Sequence, residues 1–113
     1  FRSIFPPTAR PNFITAQSVA ADVVVLGTAD QQSDLKGKII AIESADPGYD
    51  WIFARSIAGL VTQYGGVASH MAIRCAEFGL PAAIGCGEKI YDEVSNARRI
   101  HLDAAAQTIQ ILS

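Results

Sequence analysis

Apolar positions along the chain gather into short runs separated by turn residues, most of them strand-like and a few of helical period. Ala21 to Leu26 is short, mostly apolar and rich in valine, which predicts a buried strand. The turn Lys36-Gly37-Lys38 precedes a second strand, Ile39 to Ile42. Asp46-Pro47-Gly48 predicts another turn, because proline and glycine preset its backbone angles. Asp50 then stands where it would cap a short helix from Trp51 to about Ile57. Gly59 to Gln63 predicts a third strand, ending at Tyr64-Gly65-Gly66. From about Ser69 to Phe78 the pattern is helical, stopped by Gly79 and Pro81. Ala82 to Ile84 predicts a short strand and Glu88 to Val94 a helix. Arg99 to Leu102 and Thr108 to Leu112 predict a terminal hairpin around residues 103–107. Strands and helices interleave, so the expected class is α/β. The proline-rich residues 1–12 predict an N-terminal arm or linker, leaving residues 13–113 as one domain.

Composition narrows the functional classes. The 113 residues suffice for one domain with a real core. With 50% hydrophobic and 18% charged residues, the chain is neither a disordered tail nor a low-complexity spacer. A formal net charge of -2 offers no basic footprint for nucleic acid or anionic lipid. No apolar run has the length of a membrane span, and the opening residues do not form a signal peptide's apolar region. Cys75 and Cys86 predict buried, reduced thiols and a cytoplasmic protein. His70, Cys75 and Cys86 lack the number and spacing of a zinc ligand set, so no metal is expected. The start at Phe1 rather than Met leads us to expect a fragment of a larger multidomain enzyme.

The chemistry concentrates in residues 65–85, GGVASHMAIRCAEFGLPAAIG. A double glycine after a strand lets the backbone turn tightly and approach a ligand. The helix that follows presents first-turn N–H groups and a partial positive charge, a combination suited to an anion such as phosphate. The lysine of a Walker loop and the spaced glycines of a dinucleotide fingerprint are both missing, and an ordinary turn is the competing reading. Helical phase sharpens the signal. His70, Arg74 and Glu77 fall at i, i+4 and i+7, a polar stripe on a helix whose other positions are largely apolar, so the helix is expected to be mostly buried. The positive helix end favours neutral imidazole at His70, the form that can take up a phosphoryl group covalently. Ser69 and His70 cannot act as a serine-hydrolase pair, since adjacent helical residues point about 100° apart.

These residues resemble the phosphohistidine signature of phosphoenolpyruvate-utilising enzymes: two glycines, two variable positions, often a serine, then the phosphorylated histidine. An alanine-rich helix, Gly-Ile/Leu-Pro-Ala and a short strand ending in glycine follow. Gly65, Gly66, Ser69, His70, Ala72, Ile73, Glu77, Gly79, Leu80, Pro81, Ala82 and Gly85 fit, and the resemblance spans roughly residues 35–112. It implies a mobile, swivelling β/β/α phosphohistidine domain. His70 would be the phosphoryl acceptor and donor, and Gly65, Gly66 and Ser69 would shape the phosphate site. The domain itself would hold no cofactor, with ATP and Mg implied for the full-length enzyme. Its partners would be an ATP-grasp nucleotide-binding domain and a phosphoenolpyruvate/pyruvate or other acceptor domain.

Two positions depart from the family pattern. Ala68 stands where the family usually has Thr or Asn, and the arginine sits four residues after the histidine instead of six. Arg74 is read as a phosphate or partner contact, with a surface pair to Glu77 as the competing reading. These departures leave a second reading open, a non-catalytic swivelling domain that mediates domain contacts or binds an anion. His101 is expected to be structural, Trp51 and Phe53 to belong to the core, and Asp92 and Glu93 to lie on a solvated helix face.

Overall fold

The computed structural model describes residues 2–3, 11–26, 34–66 and 68–113. Among the described residues, eight strands form one sheet: β1 (Arg2–Ser3), β2 (Asn12–Ile14), β3 (Ser18–Val25), β4 (Ile39–Ser44), β5 (Gly59–Tyr64), β6 (Ala82–Ile84), β7 (Arg99–Asp103) and β8 (Thr108–Ile111). Their spatial order is β1-β8-β7-β3-β4-β5-β6-β2. The four central strands β3, β4, β5 and β6 run parallel, which explains why they read as continuous apolar runs. β7 joins β3 antiparallel on one side, and β2 joins β6 antiparallel on the other. Two α-helices, α1 (His70–Phe78) and α2 (Gly87–Asn96), and a 3₁₀ helix (Pro47–Arg55) complete the mixed α/β fold.

Alternation along the central strands supplies two cores. Ile40, Ile42, Leu60, Ala82 and Ile84 pack with Ile52 and Phe53 of the 3₁₀ helix and with Met71, Ala72 and Cys75 of α1. Their neighbours Ile39, Ala41, Val61 and Ala83 pack with Ile90 and Val94 of α2 and with Ile100, Leu102 and Ile109 of the β7–β8 hairpin. Helix α1 is pinned to the sheet through its buried Met71, Ala72 and Cys75, of which Met71 alone contributes about 1.5–3 kcal/mol of apolar burial.

Several expectations need adjustment. The helix predicted from Trp51 is a 3₁₀ helix starting at Pro47, and its N-cap is Asp46, whose Oδ1 accepts from the Gly48 N–H at 2.8 Å. Proline at the first helical position makes Asp46 the natural cap, which frees Asp50 for another task. Strand β3 begins at Ser18, because Ser18, Val19 and Ala20 pair with Asp103, Leu102 and His101. Most of the proposed arm (residues 1 and 4–10) lies outside the described residues, but Arg2–Ser3 pairs with β8 and Asn12–Ile14 with β6. Helix α1 is less buried than its composition implies. Ile73 and Phe78 are about half exposed, because a nine-residue helix lying on a sheet covers only one side of itself.

Candidate functional site

The parallel strands place the ends of β4, β5 and β6 side by side, and the loops that follow them converge there. In open α/β sheets this is the edge at which ligands are held. One buried hydroxyl ties the edge together. Thr62, fully buried in β5, accepts from the Gly85 N–H at 3.0 Å and donates to the Tyr64 carbonyl at 2.9 Å. Its own carbonyl accepts from the Cys86 N–H at 2.9 Å. Gly65 follows with φ +133°, and a Cβ there would lie 2.7 Å from Ala45 Cβ. That backbone and that proximity admit only glycine. Gly66 has open space around it and contributes its carbonyl, which accepts from the Ser69 N–H.

Ser69 caps α1. Its backbone is extended and its Oγ accepts from the Ala72 N–H at 3.3 Å, satisfying one orphan donor of the first turn. At the other end Gly79 adopts φ 66°, and the Gly79 and Leu80 N–H groups return to the carbonyls of Ala76 and Cys75. The caps fix where α1 begins, so His70 is its first residue and stands at the surface with its side chain 42% exposed.

The polar stripe of α1 meets the 3₁₀ helix through Asp50. Its Oδ1 lies 2.8 Å from His70 Nε2 and accepts from Arg74 Nε at 3.0 Å. Arg74 Nη1 also donates to Glu77 at 3.2 Å, and its guanidinium lies over the Phe78 and Phe53 rings, 4.8 and 5.6 Å from their centroids. The two rings stack at 5.4 Å. The His70 hydrogen bond, reinforced by Arg74, holds the Asp50 carboxyl below its usual value of 3.8 despite some desolvation. The carboxylate is therefore ionised at neutral pH, and the hydrogen bond requires the proton to sit on Nε2. The helix end is thus not the only field acting on the imidazole, since a carboxylate approaches it directly.

The five residues singled out from the sequence, Gly65, Gly66, Ser69, His70 and Arg74, gather around this one strand edge and helix start. Arg74 does pair with Glu77, and with Asp50 as well. Asp50 and Thr62 were hidden in the sequence. Asp50 reads as a helix cap, and Thr62 reads as one more residue of an apolar strand. Phe53 belongs to the core as expected, and Trp51, half-buried beneath Arg55, packs against that same core. His101 lies in β7 with Nδ1 3.3 Å from the Gln110 side-chain oxygen, a cross-strand contact remote in sequence from the site. Both cysteines are free and buried, and burial pushes each thiol up to about 12. Among the described residues, no three His, Cys, Asp or Glu side chains are grouped to hold a metal ion. No helix among them is long and apolar enough to cross a membrane.

Residues 34–107 match the family described as the PEP-utilising enzyme mobile domain. The chain is 31% identical over 99 residues to a rifampicin phosphotransferase of Streptomyces sviceus, covering 88% of this chain and 11% of that protein. It is 32% identical over 90 residues to a phosphoenolpyruvate synthase of Aquifex aeolicus, covering 73% of this chain and 10% of that protein. The chain thus spans about a tenth of the length of these relatives. A solution structure of Enzyme I has the same fold, with a TM-score of 0.56 at 19% identity, covering 76% of this chain and 34% of that one.

Proposed function

Because this chain belongs to the mobile-domain family of PEP-utilising enzymes, we propose that it is a phosphohistidine carrier that receives and delivers a phosphoryl group on His70. The observation that carries this reading is the placement of one exposed histidine as the first residue of α1, beside a glycine-shaped strand edge and one helical turn above an arginine. In the loading step, an imidazole lone pair attacks a phosphorus atom of the donor. The N–P bond forms as the bridging P–O bond breaks, and the electron pair leaves with the donor's oxygen. Delivery to an acceptor runs the same exchange with the histidine as leaving group.

Each remaining site residue has a distinct task in this scheme. Gly65 sets the course of the backbone, and Gly66 leaves it open to an approaching group. Ser69 fixes the start of α1 and keeps a hydroxyl at its mouth. Arg74 supplies a cation for the phosphoryl oxygens, where charge-assisted hydrogen bonds are strongest. ATP and Mg would be held by an ATP-grasp partner domain, and the phosphoryl group would pass to a phosphoenolpyruvate/pyruvate domain or to another acceptor. Relatives of both acceptor types are similar to this chain. A cytoplasmic setting accords with two free, buried thiols.

The test is labelling of the full-length protein with radiolabelled ATP or phosphoenolpyruvate. The expected product is an acid-labile, base-stable label that His70→Ala abolishes. A label that persists in His70→Ala, or that never forms with either donor, rejects the carrier and leaves the non-catalytic contact domain.

A further inference from the structure

A single oxygen, Asp50 Oδ1, serves both His70 Nε2 and Arg74 Nε. This geometry conflicts with a nucleophilic Nε2. While Nε2 carries the proton that it donates to Asp50, it has no lone pair with which to attack phosphorus. In the other tautomer, with the proton on Nδ1, the Nε2 lone pair would face the carboxylate's own lone pairs. The Asp50 contact and phosphorylation at Nε2 therefore exclude one another. Asp50 is also not needed where it stands to start its own helix, because Asp46 provides that cap.

Resting on the carrier reading above, we infer that Asp50 is an exchangeable stand-in for the phosphoryl group, holding His70 and Arg74 in the unloaded domain and releasing both when Nε2 is phosphorylated. The side chains are open enough for the exchange, at 42% exposure for His70, 43% for Asp50 and 31% for Arg74. The Nε2 proton passes to water while Nδ1 takes one up, and Asp50 swings away, still a carboxylate. The freed Nε2 lone pair attacks a phosphorus atom of a nucleoside triphosphate or the phosphorus of an enol phosphate. The N–P bond forms, the bridging P–O bond breaks, and the electron pair departs with the donor's oxygen. The Nδ1 proton then goes to water. Arg74 exchanges one anion for another, and a guanidinium suits carboxylate and phosphate equally. A carboxylate that returned toward the phosphorylated ring would meet like charge, so Asp50 favours the unloaded state.

The experiment compares wild type, Asp50→Asn, Asp50→Ala and Asp50→Glu in the full-length protein, measuring the rate and final extent of His70 labelling from radiolabelled ATP or phosphoenolpyruvate. The two neutral variants should raise rate or extent about threefold to fivefold, the size of effect expected for removing one partly exposed opposing charge. Asp50→Glu, which keeps the charge, should stay within about twofold of wild type. Asp50→Asn preserves shape, so a fault confined to Asp50→Ala is a packing fault and the asparagine variant decides. If wild type labels on His70 but Asp50→Asn labels equally or more slowly, the stand-in role is overturned and the carrier survives. If no variant labels, the carrier itself fails. Nitrogen chemical shifts of the His70 ring give a readout that packing alone does not move. Nε2 should be protonated in unloaded wild type, and Asp50→Asn should release that preference. An Nε2 without its proton in unloaded wild type also overturns the role.

Discussion

Gly65 and Gly85 pack backbone against backbone: a Cβ on Gly85 would fall on the carbonyl oxygen of Gly65. Gly85 also holds φ +70°, so two independent restrictions meet at one residue. We expect Gly85→Ala to destabilise the fold by about 3 kcal/mol or more and to lower its melting temperature by roughly 10 °C. Thermal unfolding followed by circular dichroism measures this. A shift below about 2 °C would show that the two loops can separate freely.

Gly66 should behave differently. A Cβ there meets nothing within 4 Å, so Gly66→Ala should leave stability within about 0.5 kcal/mol of wild type. The methyl group would nonetheless stand in the open space beside the start of α1. Labelling of His70 is therefore expected to fall about tenfold at unchanged melting temperature, a loss of about 1.4 kcal/mol in transition-state stabilisation. Unchanged labelling would remove Gly66 from the proposed phosphate site.

Thr62 is a second point of leverage. In Thr62→Val the Gly85 N–H loses its acceptor, at an expected cost of about 2 kcal/mol. Thr62→Ser keeps the hydroxyl and should cost less, about 1 kcal/mol for the lost methyl group. Urea denaturation of the two variants separates hydrogen bonding from packing, and equal losses would assign the whole effect to packing.

The pH dependence of stability has two limbs with opposite signs. Asp50 is held below 3.8 in the fold, so its contribution is present above that value and is lost as pH falls below it. Asp50→Asn should flatten the acid limb. Cys75 and Cys86 are raised from 9.0 to about 12. Their contribution is present below pH 9.0 and is lost as pH rises from there toward 12, by up to about 1.4 kcal/mol per pH unit per thiol. Denaturation midpoints measured across that range in wild type and Cys86→Ala would test it. Neither thiol should react with iodoacetamide in the native protein at pH 8, and both should react once it is unfolded.

Local chemistry made much of the site legible in the sequence. Ser69 before a helical run and Gly79 after it mark both ends of α1, and valine- and isoleucine-rich runs mark β3 and β4. The illegible parts depend on partners far along the chain. Asn12–Ile14 becomes a strand only because Ile84, Ala83 and Ala82 lie opposite it. Asp50 meets His70 across twenty positions, through two helices that only the sheet brings together. Its local surroundings suit a cap, although Asp46 before Pro47 is the stronger signal of that kind. The half-exposed Ile73 and Phe78 lay outside the pattern because periodicity tells which residues share a face, not how much of the helix its neighbours cover.

The aromatic floor beneath Arg74 bears on how such sequences diversify. Phe53 and Phe78 come from different helices, yet their stacked rings jointly support one guanidinium. An arginine four residues after the histidine is therefore not an isolated substitution, because it depends on Phe78 one turn along α1, on the distant Phe53 and on the carboxylate at Asp50. Among homologous domains, the residues at 50, 53, 74 and 78 should change together as one inherited set. Chains that carry the arginine two residues further along are expected to be released from that constraint at all three companion positions.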